Sequence, residues 1–218
     1  MPFPLELAAI DADSLPTRRT LLNRLRDLGD DASWRVFFDT YWRLIYNVAR
    51  KAGLADSDAQ DVVQDTVIAV ARKIPEFRYD PSKGSFKQWL LVITRRRIHD
   101  HLRRLYRTAP VATPAEAVAL EIAHASAPGP DAQIDAAWES EWRETLLQAA
   151  LARVRQRCSP KHYQVFDYCV LQNVAAAEVA RMLGLSAAQV YLAKHRVGLA
   201  VKRVVAELDR EMGRSSRS

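Results

Sequence analysis

Asp56, Asp58, Asp61 and Asp65 place four carboxylates on one short stretch. With a histidine or lysine beside them, such groups can hold a divalent cation and activate water for phosphodiester hydrolysis, as in a metal-dependent nuclease. No histidine or lysine converges with them in the sequence. Asp58 falls where a helix start favours acids for its dipole. The five histidines form no HExxH pair. His99 and His101, two apart in a helical stretch, point to different faces. Cys158 and Cys169 fit no zinc or redox spacing, which suits a reduced, cytoplasmic compartment. Catalytic residues, a metal and a cofactor are therefore not expected.

The stronger concentration of chemistry is basic. The 218-residue chain has net charge +6, unevenly spread. Residues 33–107 hold fifteen basic against eight acidic side chains, and residues 143–218 hold thirteen against six. Between them, residues 108–142 carry six acids and no Lys or Arg. Two basic blocks suggest a polyanion partner, most often nucleic acid. Ordinary solvated surface is the plainer reading of charge alone.

The second basic block contains a spacing pattern with a mechanism, "AAAEVARMLGLSAAQVYLAKHRV". Ala180 falls where two helices cross and only a small side chain fits. Gly184 falls at a turn that needs positive φ. Val179, Leu183, Leu185 and Val190 are spaced to fill a small core between the helices. Ser186 and Gln189 form a capping box for the second helix. The pattern is that of a helix-turn-helix, whose second helix enters the major groove at its N-terminal end. That end offers Ser186, Ala187, Ala188, Gln189, Tyr191, Leu192 and His195, with Lys194 and Arg196 for phosphates. Alanine and leucine touch only thymine methyls, while Gln189 suits adenine. The alternative is a helical hairpin with a glycine cap inside an ordinary bundle.

The elements that must position these groups are helical, and the expected fold is all-α: two small helical DNA-binding domains joined by a Pro/Ala-rich acidic linker, the second a helix-turn-helix. "SWRVFFDTYWRLIYNVARKA" spaces Trp34, Phe37, Phe38, Tyr41, Trp42, Ile45 and Val48 along one broad apolar face. A second helix is expected from Ser57, capped by Ser57 with Gln60, to the residue before Pro75. "PEFRYDPSKGS" lacks any period and is a loop. Ser85 and Gln88 open a third helix, "FKQWLLVITRRRIHDHLRRLYR", apolar first and arginine-rich afterwards. Residues 1–32 form an N-terminal extension, 33–107 the first domain and 108–137 the linker, with a short helix around Glu116–Ala125. Helices resume at Trp138, and Ser159 with Pro160 starts another. The second domain spans 138–210 and the tail 211–218. No apolar run approaches the ~20 residues of a membrane span, and the N-terminus lacks the charge pattern of a secretory signal.

In combination, "DVVQDT", "GSFKQWL", "RRRIHDHLRR" and the helix-turn-helix resemble bacterial RNA polymerase sigma factors of the extracytoplasmic-function (ECF) type. The resemblance covers roughly residues 33–107 and 138–205. It implies a protein without catalysis of its own, which binds core polymerase and directs promoter recognition, melting and transcription initiation. Its partners would be core RNA polymerase, through the largest-subunit clamp helices and the flap, and promoter DNA, with no membrane. An anti-sigma factor fits the family, although no residue here demands one.

The resemblance also implies residue roles. Asp61, Gln64 and Asp65, on one helix face by their spacing, would dock on the polymerase clamp. The loop Phe77–Ser85 and the helix after it would melt and read the −10 element, where aromatic rings stack on bases and cations track the backbone. Arg78, Tyr79, Lys83, Lys87, Trp89, Arg95, Arg96 and Arg97 are the candidates. Phe86 and Trp89 begin an apolar face and also suit a core role, and three consecutive arginines cannot all face one way. Ser186, Ala187, Ala188, Gln189, Tyr191, Lys194, His195 and Arg196 would meet the −35 element. The acidic connector would thread the polymerase's RNA path. Many relatives carry Lys or Arg where this chain has Tyr191, Leu192 and Ala193. Two other readings are a stand-alone helix-turn-helix transcriptional regulator with an oligomerising N-terminal domain, and the nuclease of the four aspartates.

Overall fold

The computed structural model describes residues 18–77, 85–108 and 130–213. These residues form eight α-helices and no strand, so the all-α expectation holds among them. The helices are α1 (Arg18–Arg24), α2 (Asp31–Lys51), α3 (Asp56–Lys73), α4 (Phe86–Thr108), α5 (Pro130–Arg157), α6 (Pro160–Phe166), α7 (Ala176–Leu183) and α8 (Ala187–Gly213). A π-helical turn, Asp167–Leu171, continues α6. None of these helices is long and apolar enough to cross a membrane. The chain divides into two units, Arg19–Thr145 and Leu146–Glu211, with α5 contributing its first half to one and its second half to the other.

In the first unit α2 packs on α3, and α3 on α4. Asp30 caps α2 by accepting from the Ser33 amide at 3.0 Å. Arg24 grips the same carboxylate from Nε at 2.8 Å and Nη2 at 3.1 Å. The Arg24 guanidinium, helped by the Ser33 amide, lowers the Asp30 pKa to about 2. Phe37, Tyr41, Ile45 and Val48 are buried as their spacing suggests. Phe38 and Trp42 are not: Phe38 is exposed and stacks on Trp42 at 6.3 Å. The expected stripe was wider than the face a helix turns to its core.

The start of α3 differs from expectation. Ser57 does not cap it; Ala55 occupies the cap with no side-chain bond. Asp56 accepts side-chain bonds from Gln60 Nε2 at 2.7 Å and from the Tyr46 hydroxyl. The helix begins at Asp56, so Ser57 lies inside the first turn rather than at the cap, where a capping box would need it. At α4, Ser85 Oγ accepts from the Gln88 amide at 3.2 Å, the forward half of the expected box.

Two segments join this unit that periodicity had left outside it. The described part of the N-terminal stretch buries Leu21, Leu22 and Leu25, and Arg26 Nη2 donates to the Phe77 carbonyl at 2.6 Å. Helix α5 starts at Pro130, within the expected linker, rather than at Trp138. Proline suits a first helical position because its missing N–H costs nothing there. Ile134, Ala137, Trp138 and Trp142 recur at helical spacing and are buried. Trp142 stacks on Tyr41 of α2 at 6.1 Å, and Lys87 of α4 lies over the Trp142 ring at 5.7 Å. The rest of the expected linker, including Glu116–Ala125, lies outside the described residues.

In the second unit Ser159 caps α6, accepting from the His162 amide at 3.4 Å, with Pro160 following as expected. Gly184 ends α7 at φ 61°, the left-handed region, and the Leu185 amide reaches back to the Ala180 carbonyl at 2.9 Å. Ser186 and Gln189 complete both halves of a capping box: Ser186 N donates to Gln189 Oε1 at 2.9 Å, and Gln189 N to Ser186 Oγ at 3.2 Å. Val165, Val179, Val190 and Ala193 form the core between α6, α7 and α8, with Ala180, Leu183 and Leu185 packed against it.

Candidate nucleic-acid interface

The α7–α8 pair turns one face of α8 inward and leaves the other bare. Val190, Ala193 and Val197 point into the core at spacings of three and four. Ser186, Ala187, Ala188, Gln189, Tyr191, Lys194, His195 and Arg196 are all exposed. Ala193 therefore belongs to the core rather than to the exposed face. Tyr191 and Leu192 are large, exposed and apolar, at 60% and 49% exposure.

The candidates on α4 fare unequally. Arg96 is exposed. Arg97 is half-buried and bonds Asp100 at 3.4 Å. Arg95 is half-buried and pairs with Asp135 of α5. Lys87 is bound by both oxygens of Glu139, at 2.6 and 2.7 Å. Trp89 is half-buried in an aromatic cluster, 4.5 Å from Phe77 and 5.7 Å from Phe86. Phe86 itself is core. Arg78, Tyr79 and Lys83 lie outside the described residues. Beyond the expected set, Asp100, Arg103, Arg104 and Arg107 line a cationic hollow of about 310 Å³ at the end of α4.

Asp131, Asp135 and Glu139 of α5 stand four residues apart, on one face. They meet His99, Arg95 and Lys87 of α4 in turn. Two residues beyond Glu139, Glu141 binds Lys51 at 2.6 Å and Asn47 at 2.8 Å on α2. Four of the six acids in the acidic connector are thus spent on this unit's own basic and polar side chains. Partly exposed pairs of this kind contribute ~0.2–1 kcal/mol each. Burying a tryptophan contributes several times that, so Trp138 and Trp142 anchor α5 and the ion pairs tune it.

On α3, Asp61 and Gln64 are exposed, and Ile68 and Arg72 extend their stripe by further turns. Ile68, 42% exposed, was not among the expected residues. Asp65 is only half-exposed, and its Oδ2 lies 3.2 Å from Nε2 of the buried His101. A histidine does therefore approach the aspartates: ligand atoms of Asp58, Asp61 and His101 lie within 4.8 Å of one another. Its place was legible, because His101 continues the buried Leu90–Thr94–Ile98 stripe of α4. It is nonetheless held by Asp65, and two exposed or part-exposed aspartates beside it do not make a metal centre.

The model of sigma-70 region 2 matches residues 37–108, from α2 through α4. The chain is 30% identical over 165 residues to the RNA polymerase sigma factor CnrH of Cupriavidus metallidurans, covering 74% of this chain and 78% of that one. It is 26% identical over 179 residues to the ECF RNA polymerase sigma factor RpoE of Cereibacter sphaeroides, covering 81% and 91%. It is 28% identical over 179 residues to the ECF RNA polymerase sigma factor BldN of Streptomyces coelicolor, covering 81% of this chain and 61% of BldN. An all-α chain with a region 2 match and exposed basic helices is a DNA-binding subunit of RNA polymerase, without catalysis of its own. The chain belongs to the RNA polymerase sigma factors, ECF subfamily.

Proposed function

We propose that this sigma factor holds promoter DNA at two places and core polymerase at a third. The exposed start of α8 reads the −35 element, with Gln189, Tyr191 and His195 against bases and Lys194 and Arg196 against phosphates. The loop after Phe77, with Arg78, Tyr79 and Lys83, together with Lys87, Trp89 and Arg95 to Arg97, takes the −10 element and captures its melted strand. The α3 stripe Asp61–Gln64–Ile68, with Asp65 beside it, docks on the clamp helices of the polymerase largest subunit. The second unit meets the flap. Polymerase fixes the spacing of the two DNA contacts, so each can be weak while the pair is selective. An anti-sigma factor is a fitting regulator, and the cytoplasm the fitting location.

The observation that carries this reading is the sorting of α8: all eight −35 candidates are exposed, while Val190, Ala193 and Val197 fill the core. The test is abortive transcription by purified core polymerase on a promoter library, with and without the protein. Promoter-dependent initiation only in its presence is expected. No initiation, with a palindrome protected by the protein alone, would point to a stand-alone regulator. Asp61→Arg with Gln64→Arg should abolish capture of core polymerase in a pull-down; undiminished capture removes the α3 assignment.

A further inference from the structure

We propose that the acidic face of α5 stands in for a DNA backbone in the free protein, occupying the cations of α4 that would otherwise take the −10 strand. This rests on the reading of Lys87 and Arg95 as DNA contacts. Both are already engaged, Arg95 by Asp135 and Lys87 by Glu139, and His99 is engaged by Asp131. A carboxylate and a phosphate offer the same thing to a guanidinium or an ammonium: paired anionic oxygens that accept charge-assisted hydrogen bonds.

The arrangement is built rather than incidental. Asp131, Asp135 and Glu139 recur every four residues on α5. Lys87, Arg95 and His99 recur at multiples of four on α4, so the two rows face each other. The helix is held in place by Ile134, Trp138 and Trp142, which are buried, with Trp142 stacked on Tyr41. The carboxylates themselves stay partly in solvent, at 63%, 48% and 51% exposure in chain order. An incoming polyanion can therefore reach them and exchange for them. The consequence is a free sigma factor that does not spend itself on arbitrary DNA, since phosphate contacts supply most non-specific affinity.

The probe is a fluorescein-labelled, mixed-sequence single-stranded 20-mer, read by anisotropy with the full chain at low salt. Single strands favour the −10 surface over a duplex reader. Asp131→Asn, Asp135→Asn and Glu139→Gln together should tighten binding about tenfold, the effect of freeing one or two phosphate-binding cations. A control that removes equal charge elsewhere, Asp39→Asn, Glu207→Gln and Asp209→Asn, should change it by no more than about twofold. Lys87→Ala with Arg95→Ala should matter little in the parent chain and should erase the gain in the α5 variant. If the α5 variant is no tighter than the control while Lys87→Ala with Arg95→Ala weakens the parent, the proposal fails and the DNA reading stands. If that pair is silent in both backgrounds, the DNA reading of these residues fails and the proposal with it. Circular dichroism checks the fold. Should the triple change unfold α5, Asp135→Asn alone, which frees only Arg95, should still tighten binding about threefold; no gain overturns the proposal.

Discussion

Nε2 of His101, buried on α4, lies 3.2 Å from Oδ2 of Asp65 on α3. The contact ties α4, which carries the arginines proposed to meet DNA, to α3, which carries the proposed docking stripe. Asp65 thus has a structural duty that Asp61 and Gln64 do not share.

Charge reversal at Asp65 is accordingly expected to damage the fold as well as docking. Asp65→Arg leaves the buried His101 ring without its acceptor and brings a cation against it, at a cost of ~1–3 kcal/mol. Urea denaturation should show this loss, while Asp61→Arg should leave the midpoint unchanged and still weaken polymerase binding. Equal midpoints for the two variants would refute the distinction.

The first half of α5 is expected to be indispensable to the first unit. Trp138→Ala should cost ~3–5 kcal/mol, the range for emptying a buried tryptophan site. A fragment of residues 18–145 should melt cooperatively. A fragment ending at Thr108 should melt at markedly lower temperature, because Tyr41 loses its stacked Trp142. Identical melting curves would show that α5 adds nothing.

The cap of α2 predicts an acid response. The Asp30 carboxyl has a pKa near 2 in the folded chain against an ordinary 3.8. A depressed folded value means the charged form favours folding. The contribution is complete above about pH 4 and is lost as pH falls towards 2. Asp30→Asn should therefore be less stable than the parent at pH 6, and the gap should narrow through that window in thermal melts. A gap independent of pH would deny the charge its role.

Gly184 predicts a backbone effect free of crowding. At φ 61° an added Cβ would meet no atom within 4 Å, so Gly184→Ala costs only the left-handed strain, ~1–2 kcal/mol. The Leu185-to-Ala180 bond holds the turn regardless, and binding to −35 duplexes should fall only in step with stability. A loss of binding at full stability would contradict this.

Local features were legible from the chain, and long-range partners were not. Ser186 with Gln189 is complete in four residues, and the structure forms both of its bonds. Ser57 with Gln60 has the same spacing but failed, because the helix starts at Asp56 and leaves Ser57 inside its first turn. The start of α5 was in view at Pro130, followed by Ile134, Ala137, Trp138 and Trp142 at helical spacing. Neighbouring alanines and prolines, together with the absence of cations, made the stretch look like a tether. The charge asymmetry was also plain, but nothing in the order of residues says that Asp135 meets Arg95, forty positions earlier. For the same reason Arg95 and Lys87 looked free, and Asp65 looked like a simple surface acid.

Ala187 and Ala188 support neither the core nor the cap, since Ser186 and Gln189 close the helix end and Val190 fills the interior. The proposed reading face is therefore separable from the scaffold. On the proposed −35 reading, arginine or asparagine at either position should add a contact that discriminates bases by ~1–3 kcal/mol without disturbing the fold. Evolution, or a designer of orthogonal transcription circuits, can re-letter this chain one residue at a time.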